Sequence, residues 1–73
     1  MNFAEQFMLL QRIANLIKMK ATGTPKDLAE KVEVSRSALY RHIDTLKSLG
    51  ASINYCKHRR TYYFEKDFSL EIL

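Results

Sequence analysis

Cysteine, proline and glycine are scarce in this 73-residue chain, which holds one Cys, one Pro and two Gly. With Cys56 alone, no intrachain disulfide staples the fold, and the reading is a protein of a reducing compartment. The glycines, Gly23 and Gly50, stand far apart, so no glycine-rich loop is available to cradle a phosphate. Long apolar runs are missing as well. The longest, Phe7–Leu10, falls far short of the roughly twenty residues that cross a bilayer. No basic segment precedes the first apolar residues, and Glu5, Gln6, Gln11 and Arg12 interrupt the stretch that a secretory leader keeps apolar. The expectation is a cytoplasmic protein.

Catalytic signatures are equally sparse. His42 and His58 are the only histidines, and neither belongs to a local Ser/His/Asp or Cys/His signature. A chain this short buries only about 60% of its unfolded surface, which leaves little room for a closed, water-excluding pocket. Cys56 and His58 offer two metal-capable atoms where zinc wants four. The expectation is therefore no enzyme, no metal and no cofactor.

What is present is an ordinary globular composition, 47% hydrophobic and 27% charged, of a size that supports one domain spanning residues 1–73. The net charge of +4 is unevenly spread. Residues 35–60 carry Arg36, Arg41, Lys47, Lys57, Arg59 and Arg60 against Asp44 alone, and both histidines fall there too. With a pI near 9.4, that stripe is the footprint of a protein that neutralises phosphates. A solvated charged face is the competing explanation, so charge alone does not decide.

The periodicity changes along the chain. Asn2, with Glu5 three residues on, reads as the cap of a helix over 2–20. At 100° per residue, Phe3, Phe7, Leu9, Leu10, Ile13, Ala14, Leu16 and Ile17 form an apolar arc wider than the stripe of about 100° that one core needs. Met8 and Met19 add a second apolar patch, which points to a second contact. Gly23 is expected to break this helix. Thr24-Pro25-Lys26-Asp27 then starts a short second one, with Leu28, Ala29 and Val32 inward. Ser35 caps a third, Arg36 to Leu49, with Leu39, Ile43, Leu46 and Leu49 on its core side and Gly50 as its stop.

Beyond Gly50 the period is two. Ile53 and Tyr55 alternate with Ser52 and Asn54, and Tyr62 and Phe64 alternate with Thr61 and Tyr63. Lys57-His58-Arg59-Arg60 joins these strands as a basic tip that lacks Asn-Gly or Asp-Gly, which favours a longer, mobile loop. Phe68, Leu70, Ile72 and Leu73 form an apolar tail expected to pack back on the body. The fold class read from this order is α+β and mostly helical: three helices, then a two-stranded hairpin.

Residues 28–43 carry a more specific pattern: Leu28-Ala29, a short turn, Val34-Ser35, then Leu39, Arg41 and Ile43. The stretch resembles the winged helix-turn-helix domains of bacterial transcription regulators, in particular the biotin-repressor and sugar-operon-repressor groups. The likeness runs on through Leu46, Leu49, Gly50 and Ile53 to the basic tip and Tyr62-Tyr63-Phe64. Three positions depart from it. Glu33 replaces a turn glycine, Ala38 a commoner threonine, and His42 an acidic or small residue.

The resemblance implies a helix-turn-helix over 24–49, a wing over 51–65 and a tail over 66–73. It also implies sequence-specific binding of double-stranded DNA by a nucleoid-associated regulator. A recognition helix enters the major groove by its N-terminal part, which makes Arg36, Ser37, Tyr40 and Arg41 the readout candidates. Arg36 is the best placed for a bidentate guanine contact, and Ser37 for a secondary base contact. Tyr40 and Arg41 would hold sugar or phosphate. Ser35, at the helix cap, and Thr24 and Lys26, at the start of the second helix, are phosphate candidates. Lys57, His58, Arg59 and Arg60 would reach the minor groove or the flanking backbone.

Other roles compete. Ser35 serves equally as a pure cap, Tyr40 as cover for the core edge, and Arg41 as an ion-pair partner of Asp44 or Asp27. The surplus apolar surface of the first helix and the tail is where a homodimer contact would form. Two other functions share the fold: an architectural or recombination accessory factor of a mobile element, and a protein-docking module. A docking module has no need of the basic tip, and nothing in the sequence indicates a small-molecule ligand.

Overall fold

The computed structural model describes residues 2–70. Its elements are α1 (Phe3–Lys18), α2 (Pro25–Lys31), α3 (Arg36–Ser48), β1 (Ile53–Cys56) and β2 (Thr61–Phe64). The strands form a two-stranded antiparallel sheet in which Ile53 faces Phe64, Tyr55 faces Tyr62 and Cys56 faces Thr61. No helix is long and apolar enough to cross a membrane among the described residues.

Each helix starts on a side-chain cap. The Asn2 side chain accepts from the Glu5 N–H, Thr24 from Asp27 and Ser35 from Ala38. Each satisfies one of the amides that the first helical turn leaves without a partner.

The three helices also end alike. In α1 the Lys20 N–H donates to the Ile17 carbonyl and the Ala21 N–H to Leu16. In α2, Glu33 donates to Glu30 and Val34 to Ala29; in α3, Gly50 donates to Lys47 and Ala51 to Leu46. This paired pattern needs a left-handed residue at its centre. Only the third helix supplies a glycine there, Gly50 at φ +108°. Lys20 and Glu33 adopt φ +54° and +58° with side chains attached.

The expected role of Gly23 as breaker of α1 is corrected accordingly, because Lys20 makes that turn. Gly23, at φ +73°, serves α2 instead. A Cβ there would lie 2.8 Å from both Cβ and Oδ2 of Asp27, so only glycine lets Asp27 reach back to the cap.

The core gathers Leu10, Ile13 and Ile17 of α1, Leu28 of α2, Leu39, Ile43 and Leu46 of α3, and Ile53 and Tyr62 of the hairpin. Two expected core residues lie elsewhere. Leu49 is the C-cap of α3, where the chain leaves the helical path, and it is 55% exposed. Phe3 opens α1 beyond the reach of α3's packing; it is 70% exposed and stacks on Phe7 with ring centroids 6.2 Å apart. Together with Gln6, Phe7, Leu10, Thr45 and Leu70, these two line an open groove between the start of α1 and the end of α3. Of the apolar tail, Phe68 and Leu70 pack against the core, with Phe68 5.4 Å from Phe64 between ring centroids. Ile72 and Leu73 lie outside the described residues.

Strand alternation puts Thr61 on the open face of the hairpin, yet it is buried. The cause is Thr22, in the link between α1 and α2. Its own side chain is fully buried, and its Oγ1 lies 3.1 Å from that of Thr61. The Tyr62 N–H donates to Thr22 Oγ1 at 2.8 Å, and the Thr22 N–H donates to Thr61 Oγ1 at 3.3 Å. One residue of the α1–α2 link is thus tied, through side-chain hydroxyls, to the turn-proximal start of β2.

Candidate nucleic-acid interface

The face of α3 is set by its buried side. Leu39, Ile43 and Leu46 point inward, so at 100° per residue Ser37, Arg41 and Asp44 lie on the opposite side. Arg36, Tyr40 and Lys47 occupy one flank, and His42 and Thr45 the other. Arg36, Ser37, Tyr40 and Arg41 are all exposed.

The flank carrying Arg36 and Tyr40 looks towards the hairpin. Burial pushes the Tyr62 hydroxyl above its ordinary pKa, and the phenols of Tyr40 and Tyr55 push it further. The positive charge of Arg36 acts in the opposite direction. Tyr55 and Tyr62 pack edge to face at 5.0 Å. Tyr40 and Arg36 of α3 thus act electrostatically on Tyr62 of the hairpin.

Ser35 Oγ accepts the Ala38 N–H at 3.1 Å, which leaves the amides of Arg36 and Ser37 at the positive end of the helix without intrahelical acceptors. An anion beside Ser35 would meet those amides. Thr24 is half-buried, with its hydroxyl accepting the Asp27 N–H at 3.2 Å, while Lys26 is exposed at the first turn of α2. Asp27 uses its carboxylate on the Thr24 N–H at 3.1 Å, which accounts for the acid that was the sequence's second ion-pair candidate for Arg41. His42 is half-buried, and desolvation, reinforced by the Arg41 charge, lowers its pKa, so the neutral imidazole is favoured.

At the far end of the hairpin, Lys57, His58, Arg59 and Arg60 form a four-residue exposed turn closed by the Cys56–Thr61 pair. The Arg59 N–H points to Cys56 Sγ at 3.5 Å, and Arg60 takes φ +54° to return the chain to β2. Lys20 joins this end, lining a shallow recess with Cys56, Arg59, Thr61 and Tyr63. The candidate residues thus fall in three places: the start of α2, the N-terminal half of α3, and the hairpin tip.

Sequence reasoning missed the polar frame that ties α1 and the end of α2 to the link between them. The Lys31 ammonium donates to the carbonyls of Ala21 at 2.8 Å and Thr22 at 3.3 Å. The Arg12 guanidinium donates to the Lys31 carbonyl at 2.9 Å, which occupies an otherwise open acceptor at the end of α2. Among the described residues, these are the cationic side chains that hydrogen-bond within the chain, whereas those of α3 and the hairpin tip reach solvent.

Two helices joined by the tight Val32–Ser35 turn, with a third packed across them and a basic hairpin behind, define the winged form of the helix-turn-helix, a DNA-binding class. The helix-turn-helix (HTH) domain family matches residues 9–63 of this chain, from the middle of α1 almost to the end of β2. The chain belongs to that family, and DNA is the partner that membership supports. No curated protein and no solved structure matches it.

Proposed function

We propose that this chain binds double-stranded DNA sequence-specifically and acts in transcriptional regulation. The observation that carries the reading is the exposure of Arg36, Ser37, Tyr40 and Arg41 on α3, whose side chains make no hydrogen bond among the described residues, in a domain of the HTH family. In this reading α3 lies in the major groove. Arg36 and Ser37 contact bases, and Tyr40 and Arg41 hold the strand beside them. Ser35, Thr24 and Lys26 meet phosphates from helix starts. Lys57, His58, Arg59 and Arg60 contact the minor groove or flanking backbone, adding affinity that falls with salt.

The reading includes a homodimer through α1 and the tail. Its support is apolar surface that the core does not use: Met8 and Met19 are 68% and 66% exposed and share an open groove with Leu16. Two copies would read half-sites about 10 base pairs apart or a multiple of that.

Selection from a pool of random duplex DNA, with sequencing of the bound fraction at two salt concentrations, tests the function. A short repeated or palindromic motif is the expected result. Binding without a motif and with a steep salt dependence would replace regulation with an architectural role. No binding at either salt would overturn the DNA reading in favour of protein docking.

A further inference from the structure

A two-stranded hairpin is marginal alone, so the direction in which this wing points must be set by what it is fastened to. The hydrophobic attachment runs through Ile53 and Tyr62 into the core. The directional attachment is polar and lies on the other side of β2. There Thr22, at 0% exposure, meets Thr61, at 4%, through the three contacts between the α1–α2 link and the first two residues of the strand. Thr61 Oγ1 also contacts the Tyr62 carbonyl at 2.9 Å, and Thr22 Oγ1 the Gly23 carbonyl at 2.9 Å. Both hydroxyls of this buried junction have partners, and no buried side-chain nitrogen or oxygen lacks one among the described residues.

The link that carries Thr22 is itself fixed. Lys31, on the last turn of α2, holds the Ala21 and Thr22 carbonyls, and Arg12 of α1 holds the Lys31 carbonyl. A continuous run of hydrogen bonds therefore passes from α1 through the end of α2 and Thr22 to the first residue of β2. Thr61 directly follows the basic turn Lys57–Arg60. Hydrogen bonds are directional, whereas apolar packing tolerates sliding and rotation.

We infer that Thr22, braced by Lys31, is the positioning residue that sets the angle of the wing relative to the recognition helix. It touches no DNA in this account; it determines where Lys57, His58, Arg59 and Arg60 stand when α3 is in the groove. The inference rests on the proposed DNA reading for its functional consequence, although the wing angle itself is a property of the free protein.

The test compares wild type with Thr22→Val, Thr22→Ser and Lys31→Met. Val keeps the branched shape and removes the hydroxyl, Ser keeps the hydroxyl, and Met keeps the exposed stem of Lys31 while removing its donor. Backbone residual dipolar couplings in the free protein report the order of β1 and β2 relative to α3. Duplex titrations over a salt series report affinity and salt slope.

Thr22→Val is expected to weaken the wing couplings while leaving those of α3 intact. It should lower affinity about tenfold and flatten the salt slope by about 1–2, as one or two phosphate contacts are lost, with base preference unchanged. Thr22→Ser should match wild type, and Lys31→Met should weaken the wing couplings to a smaller degree. Wild-type wing couplings in Thr22→Val would overturn the inference. If Thr22→Val does not fold, Lys31→Met decides: weakened couplings support the inference and unchanged ones overturn it. Failure of the wild type to bind any duplex would instead sink the DNA reading, with the couplings still testing the wing angle.

Discussion

Thr24 and Asp27 cap α2 reciprocally: the Thr24 hydroxyl accepts the Asp27 N–H at 3.2 Å, and the Asp27 carboxylate accepts the Thr24 N–H at 3.1 Å. The box sits at the start of the first helix of the helix-turn-helix, and it makes Asp27 sensitive to acid. The backbone hydrogen bond from Thr24, then its side-chain bond, and then the nearby Lys31 and Lys26 charges hold the carboxyl below its ordinary value of 3.8. The folded state therefore binds this proton less readily than the unfolded chain. The stability contributed is fully present above the unfolded value and is lost as pH falls through the depressed folded value. Urea melts from about pH 5 to about pH 2 should show a shallower acid limb for Asp27→Asn, which keeps the acceptor oxygen and removes the titration. An unchanged acid limb would contradict this account.

The turn between α2 and α3 holds Glu33 at φ +58°, a conformation that costs a side-chain-bearing residue about 1 kcal/mol and glycine little. Glu33 is exposed, so its replacement leaves no hole. Glu33→Gly should stabilise the domain by about 0.5–1 kcal/mol and raise Tm by a few degrees, as measured by thermal melting. A lower Tm would show that the side chain supports the turn in a way its geometry does not reveal.

Much of the fold was legible in advance because caps and periodicity are local. Asn2, Thr24 and Ser35 marked helix starts, and the spacing of Leu39, Ile43 and Leu46 marked the inner side of α3. The errors arose where the three-dimensional path decides. Leu49 continued the apolar spacing of α3, but the helix ends one residue earlier and turns it outward. Gly23 reads as the stop of α1, yet the chain turns three residues earlier, at Lys20, and the positive φ of Gly23 makes room for Asp27 at the α2 cap.

Of the candidate site, the residues of α3 could be placed by counting turns, and the basic tip by its composition. The Thr22–Thr61 junction could not. Two threonines 39 positions apart carry no local signature, and in β2 Thr61 sat at the place that alternation assigns to solvent.

Base readout and charge contacts should separate by mutation. Arg36→Ala is expected to cost about 1–3 kcal/mol on the preferred duplex and to relax preference at one position. Alanine at Lys57, Arg59 or Arg60 should weaken binding almost equally on all sequences, each reducing the salt slope by about 1. Competition titrations against single-position variants of the duplex distinguish the two patterns. Uniform weakening by Arg36→Ala would move that residue from base contact to backbone contact.

The apolar surface of α1 makes a prediction about assembly. Met8→Glu and Met19→Glu place charges on exposed positions, where the fold should tolerate them within about 0.5 kcal/mol. Sedimentation equilibrium should find a dimer for the wild type and a monomer for these variants. An unchanged oligomeric state would remove α1 as the contact.

The central claim is sequence-specific recognition of double-stranded DNA, and one ratio tests it most directly. Affinity is measured for a selected duplex and for a scrambled duplex of equal length and composition, at physiological salt. The account predicts a preference of about a thousandfold or more, the lower end for specific regulators. Equal affinity for the two duplexes would contradict it.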